Sequence, residues 1–331
     1  MKDNLKQLIE KCTQIKILVL GDFILDEFIF GEISRVSREA PVLILNYQST
    51  ERVAGGGANT VANVARLGAQ VIPLGFLGND PSADLLFSVW PDGLEKRYVF
   101  RDDAFQTTRK ARILAGSFHS FRQQVVRMDY EQPYALQESH EQKLLEALTE
   151  LVPQVDAVIL SDYSLGNINE RVRKTALALA SQHKKIIVAD SRDNPNIYTG
   201  ATSITPNITE IEAALSLPIG QDLALLQEVG SRLVQEWQLQ ALLVTRGKLG
   251  MSLFVQDGFT HIPIYGSDEV VDVTGAGDTV TASYCTALAA GGSFEEAARL
   301  ANYAAGLAVM KKGTATVSPA ELLQAIQGDS S

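Results

Sequence analysis

Only two of the 331 residues are cysteine, Cys12 and Cys285, far apart and without ligand-like spacing. That excludes a disulfide framework and a cysteine metal cluster, and it fits reduced thiols in a cytosolic protein. The four histidines, His119, His140, His183 and His261, show neither metal spacing nor a partner motif and are assigned nothing. Basic charge is scarce: the formal net charge is −10, which argues against nucleic acid as a partner. No apolar run approaches the ~20 residues that a membrane-spanning helix needs. The opening "MKDNLKQLIEKC" is charged throughout and lacks the apolar stretch of a signal peptide. The expectation is a cytoplasmic protein with no membrane or nucleic-acid partner. Internal repeats, low-complexity segments and flexible linkers are also missing, so residues 1–331 are expected to form one domain.

What is present is a regular alternation. Apolar, β-branched runs occur at 15–20, 71–78, 155–163, 185–190 and 241–247, with helical patterns at 57–67, 137–151, 169–182, 208–215 and 222–237. Continuous apolar strands separated by helices predict a doubly wound α/β fold, a mostly parallel sheet with helices on both faces. From Gly250 the pattern changes to a hairpin with Asp257-Gly258 at its turn, then helices at 276–290, 293–310 and 318–326. Segments 23–50 and 97–130 break the rhythm, alternating like exposed strands and carrying many cations. They are expected to form a small projecting β lid.

The stretch "DVTGAGDT" at 272–279 is the chemical signal. A glycine-rich turn running into a helix presents unpaired N–H groups and the positive end of the helix dipole, so Gly275, Ala276 and Gly277 suit a phosphate. Asp278 would repel that phosphate, and makes better sense as the base for whatever hydroxyl receives it. The competing reading is an aspartate that merely caps the helix. Familiar nucleotide motifs are absent. Gly247-Lys248 has Leu242 where a P-loop needs its first glycine, and "GGGANT" at 55–60 is not the dinucleotide fingerprint.

With "GD" at 21–22, "GGGAN" at 55–59, "TPNITE" at 205–210, "TRG" at 245–247 and "GTATVSP" at 313–319, this turn resembles, nearly end to end, the ribokinase-like (PfkB) carbohydrate kinases. Within that family, "GDFILDEFIFGEISRVSREAPV", "RQQVVRMDYE" and "SDYSLG" are similar to segments of the D-glycero-β-D-manno-heptose 7-phosphate kinases. Leu165 stands where those kinases carry lysine, Arg38 where they carry proline, and "DSR" at 190–192 where they carry "DPK".

The resemblance implies ATP-dependent phosphorylation of the sugar's anomeric hydroxyl, with Asp278 as base and Gly275–Gly277 as anion hole. It implies Mg²⁺ held, largely through water, by Asn207 and Glu210. It places Thr245, Gly247, Thr274 and Asn302 on the nucleotide side, and a monovalent cation such as K⁺ near Asp272 and Thr274. On the sugar side it implies Asp22, Asp26, Gly55, Gly56, Gly57, Asn59 and Asp162. The lid cations Arg112 and Arg127, among Arg109, Lys110 and Arg122, offer a phosphate clamp, since guanidinium groups match phosphate oxygens. It also implies a homodimer through the lid, whose strands would otherwise leave open edges. Plainer readings stay open: Glu210 as an exposed helix residue, Asn59 as a helix cap, the lid cations as a solvated face, and Asp22 and Asp26 as turn aspartates. The alternative functions are a kinase for another sugar, and a non-catalytic nucleotide or sugar sensor.

Overall fold

Strand β1, Lys16–Gly21, sends Ile17 and Val19 to one face and Leu18 and Leu20 to the other, and all four are fully buried. A period of two with apolar residues at every position requires cover on both sides. The computed structural model, which describes residues 1–116, 122–132, 135–266, 271–311 and 313–329, supplies that cover. His119 and lid positions 117–121 lie outside the described residues.

Among the described residues, nine strands form the main sheet. Besides β1 they are β4 (Gln70–Gly78), β5 (Val99–Asp102), β8 (Ala157–Asp162), β9 (Ile186–Ser191), β10 (Ser203–Ile204), β11 (Ala241–Thr245), β12 (Met251–Val255) and β13 (Gly258–Ile262). Their order is β13-β12-β11-β10-β9-β8-β1-β4-β5, parallel except for the antiparallel pairs β11–β12 and β12–β13. Helices α1 (Lys2–Lys11), α2 (Gly57–Arg66), α3 (Pro81–Val89), α8 (Ala276–Ala289), α9 (Phe294–Val309) and α10 (Pro319–Gly328) cover one face. Helices α4 (Glu138–Leu151), α5 (Glu170–Gln182), α6 (Ile208–Leu215) and α7 (Leu223–Glu236) cover the other. The expected architecture is present; the hairpin turn is Gln256-Asp257, one residue earlier than expected, because Gly258 already pairs with Val255 as the first residue of β13.

Two helices escaped the sequence reading although their signals are there. Helix α1 buries Leu5, Leu8 and Ile9, spaced three and four apart on one stripe of a mostly charged peptide. Helix α3 begins at Pro81 behind Asp80, whose carboxylate accepts the Ala83 N–H at 3.0 Å, a proline-after-cap start.

Among the described residues, the lid is a separate four-stranded sheet in the order β3-β2-β6-β7, built from β2 (Phe23–Val36), β3 (Leu43–Gly56), β6 (Arg109–Gly116) and β7 (Gln123–Tyr130). Segment 97–130 divides between the two sheets: β5 pairs with β4 at the edge of the main sheet, and only β6 and β7 join the lid. Val99 carries the reason, since it is 7% exposed and belongs to the main core. The lid's first strand continues straight from β1, so the base of the lid overhangs the carboxyl ends of the parallel strands, where open sheets of this kind bind ligands.

Candidate active site

Helix α8 starts at Gly275, whose φ of 78° lies in the left-handed region. A Cβ there would stand 2.5 Å from Asn59 Nδ2 and 2.8 Å from Thr314 Cγ2, so glycine is required twice over. At Gly277 an added Cβ would meet nothing within 4 Å, which leaves the helix's first turn open to a ligand. Gly275→Ala should therefore cost ~1–2 kcal/mol through backbone strain alone. Chemical unfolding checks it; an unchanged midpoint would mean the turn relaxes freely.

Asp278 is the third residue of α8 and is 2% exposed. It is not the helix cap, because Gly275 holds that position. Its Oδ2 accepts from Asn59 Nδ2 at 2.9 Å, and its Oδ1 from the Tyr163 hydroxyl at 2.7 Å. Burial, reinforced by Asp190, pushes its pKa up to about 8, while the bonds from Asn59 and Tyr163 pull it back. A carboxyl with that value is poised for proton transfer near neutral pH.

Asn59 is neither a helix cap nor a free ligand group. Gly56 caps α2, while Asn59 reaches Asp278 and, at 3.3 Å, the Gly275 carbonyl. Its own Oδ1 accepts from Asn63 Nδ2 at 3.0 Å, and Thr279 donates to Asn63 Oδ1 at 3.3 Å. Sequence reading missed Asn63 and Tyr163. Asn63 was detectable as the i+4 partner of Asn59 on one helix face, and Tyr163 stood within "SDYSLG". Nothing in the sequence says that Tyr163 meets Asp278, 115 residues away.

Thr245, Gly247, Ala276, Gly277 and Asn302 line one cavity of about 180 Å³, with Met251 and Ile264 among its apolar walls. An apolar slot opening at a helix N-terminus is suited to an aromatic base carrying phosphates. Thr274 is not in its lining; its N–H donates to Asp272 Oδ1 at 2.9 Å, and Gly313 N–H donates to Asp272 Oδ2 at 3.1 Å. Asn207 and Glu210 form a reciprocal capping box at the start of α6, with Asn207 N–H to Glu210 Oε2 at 2.8 Å and Glu210 N–H to Asn207 Oδ1 at 2.9 Å. Burial, together with Asp190, lifts Glu210 to about 7. Among the described residues no three metal-binding side chains cluster.

On the opposite wall the expected sugar-side residues divide. Asp22, 1% exposed, has its carboxylate filled by Tyr163 N–H (2.9 Å), Leu165 N–H (3.0 Å), Asn167 N–H (3.1 Å) and Asn167 Nδ2 (3.2 Å). It anchors a loop instead of presenting free oxygens to a sugar, because protein donors take up its lone pairs. Asp162 is likewise taken, by Ser164 N–H at 2.9 Å and the Tyr198 hydroxyl at 2.5 Å. Asp26 lies within β2 and pairs with Arg112 Nη1 at 2.6 Å. A Cβ on Gly55 would sit 2.4 Å from Asp26 Oδ2, so the glycines 55–57 let the lid base pack close against α2.

The lid cations are not simply solvated. Arg109 pairs with Glu27 at 2.7 Å, Lys110 with Glu131 at 3.2 Å, Arg127 with Asp129 at 2.8 Å, and Arg122 donates to Gln48 at 2.6 Å. Arg112 and Arg127 stand directly opposite each other in the β6–β7 register, on the face that carries Asp26 and Phe28. Phe28 lies over Gly313, beside Asp272, so this face looks onto the site.

The fold is the ribokinase-like one, with a glycine turn leading into a buried aspartate at the start of α8. The structure superposes on Arabidopsis thaliana ribokinase, solved with ribose and ATP, with a TM-score of 0.74 at 21% identity, covering 95% of this chain and 99% of that one. It also matches Escherichia coli phosphofructokinase-2, solved with potassium, with a TM-score of 0.71 at 17% identity, covering 95% and 98%. The pattern described as pfkB family carbohydrate kinase matches residues 14–321, and the chain belongs to that family. The chain is similar to the bifunctional protein HldE of Geobacter metallireducens, 39% identical over 97% of this chain and 65% of that protein. The HldE of Chromohalobacter salexigens is 42% identical over 96% and 64%. The chain thus spans just under two thirds of the length of these relatives. Among the described residues, no helix is long and apolar enough to cross a membrane.

Proposed function

We propose that this carbohydrate kinase transfers the γ-phosphoryl group of ATP to the anomeric hydroxyl of D-glycero-β-D-manno-heptose 7-phosphate, giving the 1,7-bisphosphate. The observation that carries a phosphorylated acceptor is the Arg112–Arg127 pair facing the site from the lid. Each arginine already has a carboxylate partner, Asp26 for Arg112 and Asp129 for Arg127, and a phosphate between them would share or take over those charge-assisted bonds. The motif resemblance narrows that acceptor to the heptose phosphate, with Leu165, 7% exposed, packed into the protein where lysine stands in those kinases.

In this reading Asp278 takes the hydroxyl proton as the oxygen attacks phosphorus in line with the leaving ADP. The Ala276 N–H is held by the Val273 carbonyl at 3.2 Å, so the N–H groups of Gly275 and Gly277, with the dipole of α8, are the ones that would stabilise charge on the transferring group. The cavity lined by Thr245, Gly247 and Asn302 takes the nucleotide base. Glu210 and Asn207 supply hard oxygens suited to Mg²⁺ through its waters, and Glu210, held against Asp190, gains from a nearby cation. Bound there, Mg²⁺ would neutralise charge on the ATP phosphates. Asp272 and Thr274 remain the proposed neighbours of a monovalent cation such as K⁺. A lid closing over the acceptor excludes water and so protects ATP from hydrolysis.

Sugar-dependent ADP release tests the reading, with heptose 7-phosphate, sedoheptulose 7-phosphate, fructose 6-phosphate, ribose and fructose as acceptors. Turnover confined to heptose 7-phosphate supports it; turnover on another sugar moves the substrate, and silence with ATP bound favours a sensor. Because the base must be ionised, kcat/KM should rise with pH and level off above about 8. A flat profile between pH 6 and 9 would remove Asp278 as base.

The lid also exposes Val36, Tyr47, Val125, Val126 and Met128, with Tyr47 68% exposed. We propose that this apolar surface pairs with a second copy of the chain. Val126→Glu should convert a dimer into a monomer in sedimentation, and a monomeric wild type overturns the proposal. The two buried free thiols fit a cytosolic setting for this enzyme.

A further inference from the structure

The turn between β8 and α5 is built against its own local preferences. Ser164 adopts a left-handed backbone, φ 59°, which disfavours residues bearing a Cβ by ~1–2 kcal/mol. Two buried carboxylates hold the turn. Asp162 binds the Ser164 N–H, and Asp22 binds the N–H groups of Tyr163, Leu165 and Asn167. Asn167 in turn locks to β4 through Phe76, accepting its N–H at 2.6 Å and donating to its carbonyl at 3.3 Å. Burying two carboxylates and holding a strained residue is far more than an ordinary connection needs. What the construction delivers is one half-buried side chain, Tyr163, with its hydroxyl 2.7 Å from Asp278 Oδ1.

From this geometry we infer that Tyr163 is a positioning residue for the reacting carboxylate. It fixes the Asp278 side chain from one oxygen while Asn59 fixes it from the other, and leaves the remaining lone pairs for an incoming hydroxyl. The inference rests on the reading of Asp278 as the base. The groups facing Asp278 come from four elements: Asp190 on β9 and Asp26 on β2 oppose its ionisation, while Asn59 on α2 and Tyr163 favour it. Arg112 compensates Asp26, and Asp162 lies next to Asp190. Thr60 Oγ1 stands at 3.5 Å from Oδ1, too far to replace the phenol.

Tyr163→Phe keeps the ring and removes the donor, so the Asp278 carboxyl should titrate ~1 pH unit higher, the worth of one hydrogen bond to a charged group. The experiment is carboxyl-carbon NMR of the full chain labelled in aspartate, with Asp278→Asn identifying the resonance. It needs no knowledge of the acceptor. An unmoved midpoint overturns the inference. In a second arm, with a sugar phosphate that the wild type turns over, Tyr163→Phe should move the acidic limb of kcat/KM by the same distance. It should also lower kcat ~10-fold and leave KM for ATP unchanged. A moved carboxyl midpoint without turnover on any sugar would sink the proposed function and leave the positioning intact. Should Tyr163→Phe fail to fold, Asp278→Asn carries the test: among the nine tyrosines one Cζ signal should shift at about pH 9, where the wild-type carboxyl is ionised. No shifted signal overturns the inference.

Discussion

Asp278→Asn should lower kcat by ~10²–10⁴-fold while ATP still binds, because the amide keeps the shape of the side chain but cannot take the acceptor's proton. The same substitution should stabilise the fold at alkaline pH. Burial pushes the carboxyl up to about 8 in the folded chain, from about 3.9 for an exposed aspartate in the unfolded one. Between those values the folded state holds more protons than the unfolded one, so stability falls as pH rises through that window. Above it the buried anion opposes folding, and removing it is a gain. Asp278→Asn should therefore melt higher than wild type at pH 8 and show no gain at pH 4. A residue that lowers stability yet is indispensable to turnover is what a reactive group looks like. Retained turnover would end the base assignment; a variant less stable at pH 8 would show that the carboxyl is ionised and well paired in the fold.

Arg127→Ala should raise KM for a phosphorylated sugar ~10–100-fold while leaving KM for ATP in place, the range expected for one charge-assisted hydrogen bond. Arg127 is the cleaner probe of the two clamp residues. Its side chain is 43% exposed and its pairing with Asp129 is a surface one, worth ~0–1 kcal/mol, so the fold should tolerate the change. Arg112→Ala is expected to have the same kinetic effect with a structural cost. Its partner Asp26 has a side chain only 6% exposed, and leaving a buried carboxylate unpaired costs ~3–5 kcal/mol. The pair of variants thus separates binding from stability. The KM difference between wild type and Arg127→Ala should disappear with an acceptor that lacks the phosphate. Equal effects on sugar and ATP would remove the clamp.

The strands and helices of the main layer were legible because their signals are local. Ile17 to Leu20 read as a strand covered on both faces, and "DVTGAGDT" read as a turn feeding a helix, since glycine is free to take the left-handed backbone that Gly275 adopts. Strand β5 was assigned to the wrong sheet because four residues of alternating character carry no record of their neighbour; Val99 reveals it only by packing into the main core. The residue types at the candidate site were likewise legible, but not their partners.

Asp22 and Asp26 look alike in sequence, four residues apart at the end of β1, yet one is consumed by the backbone of residues 163–167 and the other by Arg112. Asn207 and Glu210 read as a metal pair and are found bonded to each other. Periodicity and turn chemistry act within a few residues, so the sequence alone commits the chain to an α/β layer and to a glycine turn that feeds a helix. Which carboxylate stays free to react depends on donors such as Asn59 and Tyr163, each more than 100 positions from Asp278 and brought to it only when α2, the β8 turn and α8 pack together. Burial in that contact, which no local pattern encodes, is also what lifts Asp278 into the range where it can exchange a proton.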